Sequence, residues 1–568
     1  MKGSVGKKIA ATAGAAAITV AVASCAGDRG PGDSAAPEEQ FGYALPQELV
    51  TTNAGTALGV ATDAGKISAR LYPGAFIEGP DEQLLPNPDI VKAFPSKRNQ
   101  AVINYQINSQ AEYSDGKPVV CDDFLLTYEA SKRPDLFGSD MPLFSQVQSL
   151  DCQPGSKRFV VNFKPGFGER YRELFSAGSV LPMHTVAERA KLPDAAQALR
   201  SGDEAMLTEM GKQWQETFLL SKTDPTSVPT SGPYKIASRG EDGHLELTAN
   251  PGWSGVKPVE EPIHVWPRRA DLATLREHNQ LKVADIDAGK NLEELGLKEP
   301  DWRVTRVQSS RVDTLRISDL GPLGTPEARS ALNYCIDQRG LADAVTKHSG
   351  ARVKPAGLRV IGPSHPLSSQ LTRTSQENTV FAPDKVAALT GQTIRIGYLE
   401  TTSRYKVIVD KIKQTCGAAG VNVEPVPRGI SDYGVLGVDY DVLLDTRTTF
   451  GRNAAVAHGV SGRLTEIQRE EKKLQAASYS IPLVTEARTI AFEGHLHNVM
   501  DNGADGGGSA GTWTGGSPVL RRFLMMRPLL QIRMPKPPRT IPTNRVRAVP
   551  LTPEKVVNPH VFAKVSDT

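Results

Sequence analysis

Residues 101–130 constrain the fold of this chain more than any other stretch, because they pass from a strand through a turn into a helix. In residues 102–107 polar and apolar side chains alternate with a period of two, which predicts a strand with one buried face. Asp115 and Gly116 then supply a tight turn that ends the strand. Asp122 and Asp123 open the next segment, where carboxylates favour the positive end of a helix dipole. The stretch therefore predicts a strand, a turn and a helix in direct succession.

The length and charge of the chain limit its class. With 568 residues it exceeds one ordinary hydrophobic core and predicts about two to four domains. The formal net charge is +3, but basic side chains are concentrated at both ends, and residues 26–516 carry 53 basic and 61 acidic side chains. Such a body lacks the basic excess of a nucleic-acid-binding protein, so we expect no nucleic-acid partner. Residues 517–568 are basic and rich in proline, which predicts an extended tail without a packed core.

The first 25 residues have the features of an export signal. Lys7 and Lys8 precede an apolar, alanine-rich segment of residues 9–22, and Val22-Ala23-Ser24-Cys25 is similar to a lipobox. We predict a lipoprotein signal peptide with acylation at Cys25; a plain signal peptide cleaved near Ala23 is the alternative. Residues 26–40 would form a flexible tether to the outer face of the cytoplasmic membrane. No later run reaches the roughly 18 apolar residues of a transmembrane helix.

Three motifs resemble those of one family in order and spacing. They are YSDGKPVVCDD at residues 113–123, SGPYKI and GWSGVKP within residues 231–258, and LGPLGTPEARSALNYCID at residues 320–337. The resemblance is to family 5 of the bacterial extracellular solute-binding proteins, the peptide receptors of ABC importers. In the third motif Thr325 is the expected N-cap of a helix that begins at Pro326. In the first motif Val120 stands where the family usually has a threonine cap.

The resemblance implies an α/β, two-lobed periplasmic-binding-protein-like fold of type II, with an extra subdomain in lobe one. Lobe one would comprise residues 41–268 and 484–516, and lobe two residues 269–483. The chain would cross between the lobes near residues 266–270 and 481–483. The solute would be enclosed between the lobes, which requires no catalytic residue, cofactor or metal, so we expect a protein that is not an enzyme.

Histidines at two places could suggest other chemistry. His184 has no nucleophile or metal ligand at a recognisable spacing, so we interpret it as a helix-start residue packed in lobe one. His495 and His497 would share one face of a strand and could hold a metal. Because no third ligand is nearby in the sequence, we favour a surface pair.

The expected ligand site departs from that of the peptide receptors. After the strand at residues 440–444, those receptors tend to carry a tryptophan and an aspartate that receive the amino terminus of the peptide, whereas this chain reads DTRTTFGR. Asp445 could still act as a carboxylate anchor, and Arg447 would suit a ligand with anionic or hydroxyl groups. We expect the loop at residues 51–55, with Thr52 and Asn53, to form the opposite wall. A surface ion pair of Asp445 with an arginine is the alternative.

The resemblance implies a monomeric lipoprotein that binds a peptide-class solute for an ABC importer. The cysteine-containing form of the first motif is most similar to that of the actinobacterial LpqW-type lipoproteins. This likeness implies a second possibility, a non-transporting envelope protein that binds a mannosylated phosphatidylinositol glycolipid or regulates its pathway. Permease subunits are expected partners only in the first case.

Four cysteines remain when Cys25 is set aside, an even number that suits an oxidising compartment. The pairing of nearest cysteines joins Cys121 to Cys152 and Cys335 to Cys416. Four buried free thiols are the alternative, and the spacings fit no zinc pattern.

Overall fold

The structure, a computed structural model, describes residues 40–499 except 79–83, 259–260, 287–289, 364, 366, 448–463 and 497–498. The predicted signal peptide with Cys25, the tether, His497 and the tail of residues 517–568 lie outside the described residues. Among the described residues, no helix combines the length and the hydropathy that crossing a membrane requires.

The helices and strands have the following bounds. The strands are β1 (Phe41–Ala44), β2 (Phe76–Glu78), β3 (Leu84–Pro86), β4 (Val91–Pro95), β5 (Val102–Ile107), β6 (Val147–Cys152), β7 (Arg158–Phe163), β8 (Tyr234–Arg239), β9 (Leu245–Ala249), β10 (Ile263–Trp266), β11 (Val283–Ile286), β12 (Trp302–Ile317), β13 (Thr393–Leu399), β14 (Asn422–Arg428), β15 (Val442–Arg447) and β16 (Ser480–Glu493). The α-helices are α1 (Ala57–Ala61), α2 (Gly65–Leu71), α3 (Cys121–Lys132), α4 (Pro134–Phe137), α5 (Met183–Arg189), α6 (Ala195–Ser201), α7 (Glu204–Glu216), α8 (Leu272–Glu277), α9 (Pro326–Tyr334), α10 (Gln338–Ser349), α11 (Thr372–Asn378), α12 (Ser403–Ala418) and α13 (Leu464–Ala477).

One mixed sheet runs through both lobes in the order β14-β13-β15-β12-β16-β11-β1-β10-β9-β8. Its two central strands are long, with 16 residues in β12 and 14 in β16, and they pair antiparallel. One end of β12 pairs with β15, and the far end of β16 pairs with β11. The two strands therefore carry the sheet from lobe one, around β1, into lobe two, around β13. Their pairing has irregularities between Gln308 and Val312 and between Asp313 and Thr314.

Each lobe has its own hydrophobic core. In lobe one, α2, α3 and the four-stranded sheet β4-β5-β7-β6 enclose a core of residues such as Phe124 and Phe159. In lobe two, α9, α10 and α12 pack on β13 and β15 through residues such as Leu332 and Ile408. The four-stranded sheet forms the extra part of lobe one, next to the shared sheet.

The lobe boundaries stay a prediction, and the strand pairing bears on them. We placed the start of lobe two at residue 269 and a crossing near residues 266–270. In the structure β11 pairs in parallel with β1, and α8 packs with Trp266 and Ala44 in a small core of its own. The next long strand, β12, pairs with β16 and β15. Residues 481–483, where we expected the second crossing, lie at the beginning of β16.

Residues 101–130 fold as predicted, into a strand, a turn and a helix. In β5 the residues at 103, 105 and 107 are buried, and those between them are less buried or exposed. At the start of α3, the Asp123 carboxylate accepts the Val120 N–H at 2.9 Å and the Met183 N–H at 2.9 Å. Asp122 accepts the Gly155 N–H at 2.6 Å. Asp123 therefore binds the N–H of the N-cap residue, as the acidic partner of a capping box does, whereas Val120 offers no side-chain oxygen to the first turn of the helix.

Both predicted disulfides are confirmed. Cys121 and Cys152 are bonded with their Cα atoms 5.8 Å apart, and they join the start of α3 to the end of β6. Cys335 and Cys416 are bonded with their Cα atoms 4.7 Å apart, and they join the end of α9 to α12. Each bridge therefore closes a loop within one lobe.

Candidate ligand site between the lobes

The end of β15 presents two opposite charges toward lobe one. Because side chains alternate along a strand, Asp445 and Arg447 share one face and Thr446 points to the other. The whole strand is buried. Arg447 Nε donates to Asp445 Oδ2 at 2.7 Å. The ion pair of Asp445 with an arginine, which we expected at the surface as the alternative to a ligand site, therefore exists. It is buried, however, at the junction of the lobes.

Asp140 of lobe one completes a cluster of four charges with Asp445, Arg447 and Arg316 of β12, which we call the four-charge cluster. Arg316 Nη1 lies 3.0 Å from Asp140 Oδ2, and Arg316 Nε lies 2.9 Å from Asp445 Oδ2. Arg447 Nη1 donates to Asp140 Oδ1 at 3.2 Å, and its Nη2 contacts Oδ2 of the same carboxylate. The four side chains are at most 12% exposed.

The electrostatics of the four-charge cluster favour the charged form of each group. Burial alone would raise the pKa of Asp140, but Arg316 and Arg447 outweigh it and lower the pKa to about 2. Burial would likewise lower the pKa of Arg447, yet Asp140 and Asp445 hold it well above its ordinary value. Asp445 Oδ1 is buried and has no hydrogen-bond partner among the described residues. The cluster thus retains one acceptor that no described side chain uses.

The loop at residues 51–55 lies directly behind Asp140, because the Asp140 N–H donates to the Gly55 carbonyl at 2.8 Å. Asn53 is fully buried, donates to the Trp214 carbonyl at 2.8 Å and accepts the Gly55 N–H at 2.9 Å. Thr52 is also buried, and its carbonyl accepts the Ser68 hydroxyl at 2.7 Å. These contacts shape the loop, and a ligand contact of Thr52 or Asn53 stays a prediction.

Sequence reasoning missed Asp140 and Arg316. Asp140 follows a short helix and carries no local signal, since its partner Arg447 is 307 residues away. Arg316 did offer a signal, because it is a charged residue between the fully buried Leu315 and Ile317 of a strand. A charge in such a position requires a partner, which identifies it as a candidate site residue.

The sequence matches the model of the family described as bacterial extracellular solute-binding proteins, family 5 Middle, over residues 86–435. The chain belongs to family 5. This family 5 protein is similar to an uncharacterized lipoprotein of Mycobacterium tuberculosis, with 29% identity over 397 residues that cover 68% of this chain and 70% of the relative.

Solved structures show the same fold. The oligopeptide-binding protein of Thermus thermophilus, complexed with a pentapeptide, has a TM-score of 0.63 at 13% identity and covers 85% of this chain and 98% of its own. The periplasmic EDTA-binding protein EppA has a TM-score of 0.62 at 16% identity, and the match covers 84% of this chain and 97% of the EppA chain. The predicted two-lobed α/β fold is confirmed. The family and these neighbours are solute-binding proteins rather than enzymes, as we expected.

A second charged cluster of this family 5 protein joins lobe one to the crossing strands. Lys66 Nζ lies 3.0 Å from Asp285 Oδ2 of β11, and Arg311 Nη2 of β12 lies 2.8 Å from Asp63 Oδ1. Arg311 Nε is also 3.6 Å from Glu486 Oε2 of β16. All five side chains are less than 10% exposed. The cluster fastens the region of α2 to both crossing strands.

Arg404 of α12 connects this second cluster to the strand of the candidate site. It donates to both oxygens of Asp313 at 3.0 Å and to Glu486 at 3.2 Å. It also donates to the Thr446 hydroxyl at 2.6 Å. Burial would raise the pKa of Glu486, but Arg311 and Arg404 outweigh it and lower the pKa to about 2. Thr446 is thereby fixed between the two charged residues that face lobe one.

The described histidines that we considered as candidate site residues, His184 and His495, each lie beside one carboxylate. His184 stands in the first turn of α5, with Nε2 3.0 Å from Asp115 Oδ2, and burial lowers its pKa. It is a helix-start residue of lobe one, as predicted. The His495 side chain is 69% exposed and lies 3.5 Å from Glu493. The predicted pairing of His495 with His497 falls partly outside the described residues.

Proposed function

We propose that this protein is a monomeric, lipid-anchored receptor at the outer face of the cytoplasmic membrane, and that it binds a peptide-class solute between its two lobes for an ABC importer. The observation that carries the proposal is the four-charge cluster, in which side chains from both lobes meet. A solute held at this point would contact both lobes at once, which is how a two-lobed receptor couples binding to closure.

The chemistry of the cluster supports a peptide-class ligand. Arg316 and Arg447 together offer donors that match a carboxylate, and the spare Oδ1 of Asp445 suits an ammonium or amide N–H. A peptide offers all of these groups. The neighbouring structures bind a pentapeptide in one case and EDTA, which is rich in carboxylates, in the other.

The anchoring part of the proposal depends on residues 1–25, where Cys25 follows two small residues at the end of an apolar segment. The Mycobacterium tuberculosis relative is named a lipoprotein, which supports the same arrangement here. A receptor tethered by residues 26–40 could present its solute to permease subunits in the same membrane.

A second candidate function is favoured by the same pair of arginines. Guanidinium groups bind phosphate as well as carboxylate, so a phosphatidylinositol-type glycolipid would also suit Arg316 and Arg447. In that case the protein would act in the envelope without transport, as the likeness of its first motif to the LpqW-type lipoproteins implies.

Native mass spectrometry of the full-length protein, extracted in mild detergent from the cells that make it, separates these possibilities. A peptide receptor should retain a series of small masses that yield amino acids on hydrolysis. A glycolipid-binding protein should retain one heavier mass that contains phosphorus and sugar. Protein that is unfolded, washed and refolded serves as the control, since it should have lost the bound mass. A native preparation that carries no more than this control would contradict both functions.

A further inference from the structure

We propose that Asp140 occupies the position that an anionic group of the solute takes on binding, so that the solute must displace Asp140 from Arg316 and Arg447. The inference rests on the proposed function and deepens it, because it assigns the solute an oxyanion, either a carboxylate or a phosphate. It also makes Asp140 a residue that sets affinity. A carboxylate of the protein would compete with the ligand for the same two guanidinium groups.

The Asp140 carboxylate lies against the opposite lobe. Its hydrogen bonds and ion pairs, within the described residues, all go to Arg316 and Arg447 on the opposite lobe. A free carboxylate bound by these two arginines would form contacts of the same kind. The side chain therefore contacts lobe two as a ligand would.

The backbone of Asp140, in contrast, is held by lobe one. Its N–H donates to Gly55, and the hydroxyl of the preceding Ser139 donates to the Ala130 carbonyl at 2.7 Å. Gly138 before them has a φ of 57°, in the left-handed region that favours glycine, and it ends α4. Because the backbone is held independently, the carboxylate can leave the arginines by side-chain rotation and lobe opening, without unfolding its segment.

The four-charge cluster also contains buried polar atoms that its own ion pairs do not satisfy. Asp313 has both carboxylate oxygens hydrogen-bonded by Arg404 and is fully buried. In the four-charge cluster, Asp445 Oδ1 is buried without a hydrogen-bond partner in the described part of the chain, and Arg316 Nε has no well-directed acceptor. A buried polar atom without a partner is costly, and a ligand with both an anionic group and a donor would use these atoms.

Chemical rescue tests the inference without knowledge of the natural solute. The probes are acetate, methyl phosphate and neutral acetamide, at constant ionic strength, added to the purified full-length Asp140→Ala protein. We expect acetate or methyl phosphate to fill the vacated position and to raise the melting temperature saturably, by about 2 to 4 °C. Acetamide should have no effect. The wild type and the Asp140→Ala/Arg447→Ala double variant should not respond to either anion.

The two anions distinguish the source of the oxyanion, since a stronger response to acetate indicates a carboxylate solute and a stronger response to methyl phosphate a phosphate ester. The inference would be overturned if the anions raised the melting temperatures of the wild type and Asp140→Ala equally, or if they did not raise that of the variant saturably. Asp140 would then only form an ion pair between the lobes. Rescue in a protein that retains no solute in native mass spectrometry would instead count against the proposed function alone.

A second measurement applies if Asp140→Ala does not fold. Asp140→Asn keeps the size of the side chain and removes its charge, so the ligand-free lobes should separate. Solution X-ray scattering should then give a larger radius of gyration for Asp140→Asn than for the wild type. Asp135→Asn is the matched control, because Asp135 lies five residues earlier with a side chain that is 59% exposed. A radius of gyration of Asp140→Asn equal to that of the wild type and the control would overturn the inference.

Discussion

Replacement of Arg404 by methionine is the sharpest test of how the candidate site is held in place. The Arg404 side chain is 6% exposed, and it bonds to Asp313, Glu486 and Thr446. Its loss would leave two buried carboxylates with fewer partners. Breaking a buried pair by removing one side costs about 3 to 5 kcal/mol in the free energy of unfolding. Arg311 and Arg404 together hold the pKa of Glu486 below its ordinary value, so the loss of Arg404 removes one of the cations that stabilise this buried carboxylate.

Guanidinium denaturation with the disulfides intact, followed by circular dichroism, would measure this loss. We expect Arg404→Met to lower the free energy of unfolding by about 3 to 5 kcal/mol. Arg373→Met is the matched control, because the side chain of Arg373 is 92% exposed and pairs with Glu377 on the surface of one helix. It should leave the free energy of unfolding unchanged within error. The reasoning is refuted if the two variants lose the same stability, or if Arg404→Met is more stable than the wild type.

Three further predictions concern the anchor, one disulfide and acid. Cys25→Ala should appear in the medium or as an unprocessed precursor, and cell fractionation that finds a fully processed form still on the membrane would contradict the predicted anchor. The double variant Cys335→Ser/Cys416→Ser removes a disulfide with a sequence separation of 81. Denaturation should show that the free energy of unfolding falls by about 2 to 4 kcal/mol. An unchanged midpoint of the denaturation curve would exclude a stabilising role for this disulfide. The pKa of Asp140 is lowered from 3.8 to about 2. Its ionised carboxylate therefore contributes about 2 kcal/mol to the free energy of unfolding at pH values above 3.8, and this contribution is lost as the pH falls through about 2. Acid titrations of the wild type and Asp140→Asn should therefore converge near pH 2, and a constant difference between them would show that Asp140 contributes nothing by its charge.

Elements with local signals could be predicted from the sequence. The strand at residues 102–107 has a clear period of two and is found with those bounds as β5. Thr325 accepts the Ala328 N–H at 3.2 Å at the start of α9, as a local cap should. Such features depend on residues within one turn of each other, so the sequence contains all the information they require.

Elements that depend on distant partners could not be predicted in the same way. The pairing of β11 with β1 joins segments about 240 residues apart. The candidate site shows the same limit. Asp445 and Arg447 could be proposed because they follow a predicted strand, residues 440–444, which in the structure extends to Arg447. Asp140 reaches them only through the tertiary fold, across 307 residues in the case of Arg447. Ion pairs between lobes have no fixed spacing in a sequence.

The most direct test of solute binding between the lobes is the affinity of Arg447→Ala for the solute that copurifies with the wild type. Arg447 is buried between two carboxylates, so the variant must be measured by titration calorimetry at a temperature at which circular dichroism shows that it is folded. The account predicts that binding weakens by about 1.5 to 3 kcal/mol, or about 10- to 150-fold in Kd, because a charge-assisted hydrogen bond is lost. A folded Arg447→Ala protein that binds this solute with the Kd of the wild type would contradict it.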